Sequence, residues 1–473
     1  MTDFASMDTK IDNWKNEMVL TLTELLSIQS IQSEPCEGAP FGRGISEALN
    51  FMLSLCKGED FETKDGEGFY GYADYACVEA RESDKMLGIF THVDVVPSGD
   101  GWSEDPFKAC VKEGNIIARG SMDDKGPLIA AFYALKALKE TKIKLNSKIR
   151  LFFGCDEESS FSCISKYVKT ERIPDFTVVA DANYPVTYAE KGLLSFEMSQ
   201  KFLSPNPSNI VLTFLRGGEK ENIVPGSCEA LLKVEDTGRQ DIWEKYNLFG
   251  FKDRMELEEK EKDILCLKTR GIKAHASLAK EGLSAISLMM MFLDTLNMRG
   301  DVGDFCKFYT SEVGLKCDGS VLGIGIHDTR SEEISVNLGL VEYRGEEIKF
   351  KIDIRYPHWM TSNKIMENIK ALLDSKKIQI KDISDFLPMH CPKDSFLVQT
   401  LLRVYNGYYL SNEEPVSIGS STYAHNMPNA VAFGPNHPGQ IKLAHKADEY
   451  IEIQNLIDTT KLYARAIIAL DHI

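Results

Sequence analysis

The chain has 473 residues, of which 43% are hydrophobic and 26% charged, and its formal net charge at pH 7 is −17. This length allows two or three domains with a sizeable core, and the composition is that of an ordinary soluble globular protein. The acidic balance argues against nucleic acid or an anionic membrane as a partner, because either would be repelled. We expect neither kind of partner.

Features that bear on location favour the cytoplasm. The opening residues, MTDFASMDTK, show no basic segment followed by an apolar run, and the most apolar helical stretch, over 285–296, is too short to span a bilayer. The eleven cysteines lack CxxC spacing, and an odd number cannot all pair within one chain. We therefore predict a reduced, cytoplasmic setting.

Predicted elements over 1–188 alternate between helices and strands. Apolar residues at helical spacing predict an opening helix over 11–31, and a second helix is predicted over 126–140 with Pro127 in its first turn. This alternation favours an open α/β sheet, in which ligands bind at the carboxyl ends of the strands. The strands of this part are predicted near 86–96, 148–154 and 177–180.

The pattern changes over 189–387, where strands and amphipathic helices are predicted but no candidate metal ligand occurs. We predict that a catalytic domain, formed by 1–188 and 388–473, is interrupted there by an inserted domain. The charged run ELEEKEKD, residues 256–263, is interpreted as a solvated face, such as that of a helix with i,i+4 ion pairs. Predicted strands of the insert are 210–215, 230–234, 265–269 and 348–355, and predicted helices are 285–296 and 363–373.

Five candidate metal ligands lie far apart in the chain, each where a predicted strand gives way to a turn or a helix is about to begin. A core needs no imidazole or carboxylate at such places, whereas a pair of divalent cations needs all five. Three carboxylates would offset most of the charge of two cations, and two imidazoles favour zinc over manganese or cobalt. The pattern indicates a binuclear metallohydrolase. The candidates are His92 in THVDVVP, Asp123 in RGSMDDKGP, Glu158 in DEES, Asp181 in ADANYP and His445 in AHKADE.

The neighbours of two candidates suggest further roles. Alternate residues of a strand share a face, so Asp94 can hydrogen-bond the His92 imidazole and fix its tautomer. Asp123 precedes a predicted helix, and its two oxygens could bridge two cations. The ordinary alternatives are a buried histidine–aspartate pair and a helix N-cap, a position that Asp124 could also fill.

Two adjacent glutamates follow the apolar run IRLFFG. Glu158 can bind a metal while Glu157 takes a proton from the attacking water and carries it to the leaving amine. A surface pair of glutamates is the ordinary alternative. Each motif is weak when it is considered alone, and the combination of all of them favours the metal site.

The segments HVDVVP, GWSEDPF, RGSMDDKGP, DEESS, DANYPVTYAEKG and AHKADE resemble the M20 metallopeptidases, most closely their PepV-like dipeptidases for Xaa-His or β-Ala-Xaa peptides. The resemblance covers nearly the whole chain. It implies a zinc-peptidase-type α/β catalytic domain with a mixed central sheet flanked by helices, interrupted by an inserted α+β lid domain. It also implies that His92 and Asp181 bind one zinc, Glu158 and His445 bind the other, Asp123 bridges them, Glu157 is the general base, Asp94 orients His92, and the Asp123–Asp124 peptide bond is cis.

The same resemblance implies substrate-binding residues in the insert. His275 in GIKAHAS could hydrogen-bond the oxyanion, Asn222 in GGEKENIVPG could act at the same end of the substrate, and Arg355 in KIDIRYP could bind a terminal carboxylate. One departure concerns GSSTYAHN, where this chain has His425 and similar dipeptidases have an arginine. Histidine lacks the permanent charge and the bidentate fork, so recognition of the carboxylate should differ.

The predicted function is a zinc dipeptidase for unblocked short peptides, in which metal-activated water attacks and Glu157 is the general base. Lid closure would limit substrate length, and a long lid favours a monomer. An M20-type N-acyl-amino-acid deacylase would use the same metals, but the long insert and the YAEKG stretch favour the dipeptidase. A catalytically inactive binding protein should lack a ligand or the base, and all six residues are present.

Overall fold

Two units, each with its own hydrophobic core, make up the computed structural model, which describes residues 4–76, 85–202, 209–320, 323–324, 333–373 and 376–471. Unit 1 comprises Met1–Glu190 and Met389–Ile473, and unit 2 comprises Lys191–Pro388. Unit 1 is therefore built from two stretches of chain that are separated by the whole of unit 2.

The first stretch of unit 1 alternates helices and strands. Its helices are α1 (Phe4–Asn13), α2 (Lys15–Leu26), α3 (Arg43–Gly58), α4 (Lys125–Glu140) and α5 (Ser162–Thr170). Its strands are β1 (Glu62–Asp65), β2 (Tyr70–Tyr75), β3 (Met86–His92), β4 (Cys110–Lys112), β5 (Asn115–Ile117), β6 (Lys148–Gly154), β7 (Phe176–Val179), β8 (Ala182–Asn183) and β9 (Thr187–Glu190).

Unit 2 follows with its own strands and helices. The strands are β10 (Gly192–Lys201), β11 (Ile210–Gly217), β12 (Ser227–Val234), β13 (Met255–Glu261), β14 (Ile264–Arg270), β15 (Ser335–Tyr343), β16 (Glu347–Tyr356) and β17 (Gln379–Phe386). The helices are α6 (Asp236–Leu248), α7 (Ala285–Thr295), α8 (Asp301–Glu312) and α9 (Ser362–Leu373).

The returning stretch completes unit 1. Its strands are β18 (Met389–His390), β19 (Val416–Ile418), β20 (Ala430–Ala432), β21 (Pro435–Asn436) and β22 (Tyr450–Glu452), and its helices are α10 (Phe396–Tyr409) and α11 (Ile453–Asp471). Among the described residues, no helix combines the length and the apolar character that crossing a lipid bilayer requires.

The main sheet of unit 1 is mixed. Its strand order is β1-β2-β6-β3-β7-β20-β9-β18, and β19 also pairs with β9. Strands β6, β3, β7 and β20 are parallel and nearly all their residues are buried, as expected for a sheet covered on both faces. Helix α4 is buried along almost its full length and packs against α11 in the main core. The carboxyl ends of the parallel strands therefore meet at one edge of the sheet.

Unit 2 contains one eight-stranded antiparallel sheet in the order β13-β14-β12-β11-β15-β16-β10-β17. Apolar residues of helices α7, α8 and α9 share its core. The predicted fold class, an α/β domain with a mixed central sheet and an α+β insert, is confirmed. The predicted strands and helices of the insert all form, with ends that differ by a few residues.

Two details of the prediction are wrong. A single opening helix was expected over 11–31, but α1 ends at Asn13 and α2 starts at Lys15, and both turn buried residues to the core on either side of Trp14. The run 256–263 is not helical, because Met255–Glu261 forms the edge strand β13. In that strand Met255 and Leu257 are buried while the last glutamates stay exposed, so the solvated face exists on a strand.

Candidate metal centre and substrate-binding residues

The five predicted metal ligands all lie in unit 1, at the ends of its elements. His92 is the last residue of β3, Asp181 follows β7 by two residues, and Glu158 follows β6 by four. Asp123 precedes α4, and His445 lies between β21 and β22. Because β3, β6 and β7 are parallel neighbours, three of these side chains necessarily start from the same edge of the sheet.

The side chains form two groups that share Asp123. His92 Nε2 lies 3.1 Å from Asp123 Oδ1 and 3.7 Å from Asp181 Oδ2. His445 Nε2 lies 3.1 Å from Asp123 Oδ2 and 3.0 Å from Glu158 Oε2. Within each group, one ligand atom per residue lies within 4.8 Å of the others. The two oxygens of Asp123 thus face different histidines, as a carboxylate that bridges two cations would require.

The charges of this cluster fit a pair of divalent cations. Burial, and then the charge of Asp123, raises the pKa of both Asp181 and Glu158 above the ordinary range. Burial alone would lower the pKa of both histidines, but Asp123 and the other nearby carboxylates raise it, for His445 to about 11. Raised pKa values on both the crowded carboxyl groups and the imidazoles indicate a deficit of positive charge in the cluster. Nitrogen and oxygen donors of this kind suit divalent cations such as zinc.

Asp94 contacts the ring nitrogen of His92 that faces away from the other candidate ligands. The His92 Nδ1 atom is 2.9 Å from the main-chain oxygen of Asp94 and 3.4 Å from its Oδ1. A carbonyl oxygen only accepts, so Nδ1 donates and the neutral ring turns its Nε2 lone pair toward Asp123 and Asp181. The other oxygen of Asp94 accepts the Glu158 main-chain N–H at 3.0 Å. Asp94 therefore contacts residues of both groups.

Asp124 occupies the N-cap position of α4, but its side chain makes no cap hydrogen bond. Its Oδ2 accepts the main-chain N–H of His92 at 3.1 Å instead. The Asp123–Asp124 peptide bond is cis, as the resemblance implied. Asp124 thus occupies the N-cap position, which leaves Asp123 free to act as the bridging ligand.

Glu157 is buried beside this cluster. Burial raises the pKa of its carboxyl group well above the ordinary range, and the charge of Asp181 acts in the same direction. The charges of His92, Glu158 and Asp123 also act on it, which places it among the candidate ligands. Glu157 therefore shares the electrostatic environment of the candidate ligands.

Hydrogen bonds and strand pairing connect the segments that carry three predicted substrate-binding residues of unit 2. Ile223 and His275 form an isolated bridge between their two segments, and the Ala276 N–H donates to the Asn222 main-chain oxygen at 2.9 Å. The Ser335 hydroxyl donates to the Ala276 oxygen, and Ser335 lies opposite Arg355 in the β15–β16 register. The backbone segments that carry Asn222, His275 and Arg355 are thus linked through Ala276 and Ser335, although they lie far apart in the chain.

The surroundings of these side chains are specific. His275 Nδ1 accepts the Ser277 N–H at 3.3 Å, so the proton of a neutral ring sits on Nε2. Arg355 is buried and forms a two-bond pair with Asp353, from Nε to Oδ1 at 2.7 Å and from Nη2 to Oδ2 at 3.0 Å. Asp353 therefore fixes the plane of the guanidinium.

His425 lies in unit 1, and its imidazole is buried. Its Nδ1 is 2.5 Å from Glu190 Oε2, and Glu190 also accepts the main-chain N–H and the hydroxyl of Thr422. Glu190 is the last residue of β9 and is fully buried. The carboxylate thus holds the short turn that carries His425.

Sequence reasoning missed Glu449, which is completely buried in the segment that follows His445. Burial, and then the charge of Asp123, raises the pKa of its carboxyl group to about 7, although Arg119 opposes this. The one available signal was its place in the motif AHKADEY. Next to Asp448 it has the pattern of an ordinary acidic surface pair, and its partners are more than 300 residues away.

Residues 88–469 match the sequence pattern described as Peptidase family M20/M25/M40. The chain is 34% identical to the putative dipeptidase YtjP of Bacillus subtilis, over 96% of this chain and 97% of the relative. It is 32% identical to a putative dipeptidase of Staphylococcus epidermidis, over 98% of both chains.

Solved structures share the fold at low sequence identity. Human carnosine dipeptidase 1 aligns with a TM-score of 0.58 and 15% identity, over 100% of both chains. The dipeptidase Dug1p from Saccharomyces cerevisiae aligns with the same TM-score and identity, over 100% of this chain and 99% of that one.

Proposed function

Because the chain belongs to peptidase family M20/M25/M40, we propose that it is a dipeptidase that hydrolyses unblocked short peptides with the help of two divalent cations. The observation that carries this proposal is the position of Asp123, whose two oxygens face His92 and His445 in two separate groups of donors. The identity of 34% and 32% to putative dipeptidases, over 96% and 98% of this chain, supports the choice of substrate.

The predicted family is confirmed, and with it the predicted class of enzyme, a hydrolase of the metallopeptidase type. The PepV-like preference for Xaa-His or β-Ala-Xaa peptides remains a prediction. The division into catalytic and lid domains, the cytoplasmic location and the monomeric state also remain predictions.

We assign the five unit 1 side chains as ligands in the two groups described. His92 and Asp181 would hold one cation, Glu158 and His445 the other, and Asp123 both. Zinc is the preferred metal because two imidazoles are present, with manganese or cobalt as alternatives. When bound, such a pair of cations polarises a carbonyl group and lowers the pKa of water.

The remaining chemistry is assigned to side chains of this chain. Glu157 takes a proton from the attacking water and delivers it to the departing amine, a role for which its burial beside the ligands is suitable. Asp94 keeps His92 in the tautomer that binds metal through its main-chain oxygen, and its carboxylate lies 3.4 Å from the same ring nitrogen.

Contacts to the substrate are proposed for four residues. His275 donates from Nε2 to the developing oxyanion, and Asn222 acts beside it, since their backbones are joined. Arg355, held in plane by Asp353, binds the terminal carboxylate. His425 is the fourth, and its pairing with Glu190 indicates a weaker contribution to carboxylate binding than an arginine would make.

The test compares hydrolysis of a dipeptide that has an open N-terminus with hydrolysis of its N-acetylated counterpart, using zinc-loaded protein and the Glu157→Gln variant as the inactive control. We expect amine release from the free dipeptide only. Cleavage of the acylated compound alone would favour the N-acyl-amino-acid deacylase, and no cleavage of either would favour an inactive binding protein.

A further inference from the structure

We propose that Glu449 is a positioning residue for the candidate metal centre. Its carboxylate holds the loop of the bridging Asp123 in a fixed position relative to the segment that carries His445. This inference rests on the proposed metal centre and extends it to a residue that binds no cation itself. Glu449 precedes β22, and β22 pairs with β5, so the sheet brings its side chain to the loop that leads to Asp123.

The carboxylate of Glu449 is fully used by that loop. Oε1 accepts the main-chain N–H of Met122 at 2.8 Å and of Asp123 at 3.1 Å. Oε2 accepts the main-chain N–H of Gly120 at 3.2 Å and the Arg119 Nη1 at 2.5 Å. Each oxygen accepts two hydrogen bonds, so the carboxylate is fully occupied by the loop and is not available to bind a cation.

Arg119 extends the same network to the segment GWSEDPF. Its Nη2 donates to the Ser98 main-chain oxygen at 3.2 Å, and its guanidinium lies 5.2 Å from the Trp102 ring centre. Next to Glu449, Asp448 accepts the main-chain N–H and the hydroxyl of Ser103. Three segments that are distant in sequence, 98–106, 119–123 and 445–449, are thus tied together.

The consequence concerns Asp123. Its side chain must offer one oxygen to each group of donors, and the angle at which it does so is set by its backbone. Glu449 fixes that backbone through the Asp123 N–H, and it lies only four residues after His445, the ligand that faces Asp123 Oδ2. Outer partners that orient metal ligands commonly change metal affinity by about 10–100-fold when they are removed.

The experiment titrates Zn²⁺ into metal-stripped protein by calorimetry, for the parent and for Glu449→Gln. The amide keeps the size but replaces one acceptor oxygen with a donor, which faces N–H groups. The matched control is Glu452→Gln, the same change on the exposed side of β22. We expect zinc affinity to fall by about 10–100-fold in Glu449→Gln and to stay unchanged in the control. In steady-state assays kcat should fall while KM changes little.

Thermal unfolding of the metal-free proteins separates positioning from stability. Equal zinc affinity in folded Glu449→Gln and parent would overturn the inference, even if the variant unfolds at a lower temperature. If Glu449→Gln does not fold, Glu449→Asp decides, because its shorter side chain keeps the charge but cannot reach all four donors. Unchanged zinc affinity in that variant would also overturn the inference. A parent that binds no zinc would overturn the proposed function as well, whereas an active parent matched by its variants would overturn this inference alone.

Discussion

At the scale of single residues, Asp123 differs from the other candidate ligands because both groups depend on it. Each of its oxygens faces a different histidine, and its main-chain N–H is held by Glu449. Burial would raise the pKa of its carboxyl group, but the hydrogen bonds with His445 and His92, together with the charges of the two imidazoles, bring it well below the ordinary range. By contrast, burial and the charge of Asp123 raise the pKa of its neighbours Asp181 and Glu158.

Two adjacent glutamates provide a matched test of the proposed roles. In Glu157→Gln, kcat for dipeptide hydrolysis should fall by about 10²–10⁴-fold, because the amide cannot take a proton, while zinc binding is kept. In Glu158→Gln a ligand is lost, so zinc affinity should fall as well. Steady-state kinetics together with metal analysis distinguish the two variants. An active Glu157→Gln, or one that has lost its zinc, would contradict the assignment.

His437 should make unit 1 less stable in mild acid. Burial lowers the pKa of its imidazole below the ordinary value of 6.5, while Asn455 acts in the opposite direction. The unfolded chain therefore binds the proton more readily, so stability falls as the pH drops below about 6.5. The thermal midpoint should fall less between pH 7 and 5 in His437→Gln than in the parent. The control His390→Gln changes an exposed histidine and should keep the slope of the parent.

At the scale of elements, local patterns predicted β6, β7 and α4 to within a residue or so, because these elements have strong hydrophobic periodicity and clear ends. The errors came from tertiary context. The glutamates of 256–261 have good helix propensity, but pairing with β14 makes them an edge strand. The break between α1 and α2 at Trp14 could not be predicted, because no glycine or proline stands at that position.

Contacts between elements could not be predicted in the same way. The pairing of Glu190 with His425 joins the end of β9 to a turn more than 200 residues later, and nothing in either segment specifies the other. The candidate metal ligands were easier to find because imidazole and carboxylate groups are unusual at the ends of buried strands. A buried carboxylate such as Glu449, whose partners are mostly main-chain N–H groups, leaves no comparable signal.

Gly154, the last residue of β6, lies very close to the side chain of Tyr423. A Cβ atom added at Gly154 would lie 1.8 Å from the Tyr423 hydroxyl, so Gly154→Ala should destabilise the protein by about 1–3 kcal/mol through overpacking. Adding Tyr423→Phe should recover part of this loss. Denaturant unfolding measures both effects.

The control for this change is Gly407→Ala in α10, where nothing lies within 4 Å of the added atom. It should leave stability unchanged or raise it by up to about 1 kcal/mol, because alanine favours the helix. A Gly154→Ala variant as stable as the control would show that Tyr423 can move away at no cost.

At the scale of the whole molecule, the candidate metal ligands and the other predicted site residues divide between the two units. All five ligands and Glu157 belong to unit 1, whereas Asn222, His275 and Arg355 belong to unit 2. The insertion was predictable because a long stretch without ligands separates His445 from the other four.

Zinc binding should therefore slow amide hydrogen exchange in unit 1 more than in unit 2. In hydrogen exchange, added zinc should slow the amides around 119–124, 156–158 and 445–449, because these loops open only when the ligands separate. Peptides from β16 provide the control and should exchange at the same rate with and without zinc. Protection that is confined to unit 2 would contradict the ligand assignment.

The position of His445 after the whole of unit 2 also has a consequence for protein synthesis. Four candidate ligands leave the ribosome early, but the nascent chain has neither His445 nor Glu449 until all of unit 2 has been translated. Domains generally fold as they emerge from the ribosome. The first stretch of unit 1 therefore emerges with four of the five candidate metal ligands and without the fifth. A chain that stalls before this point cannot complete the proposed centre, and we infer that peptide hydrolysis starts only once translation has passed residue 449.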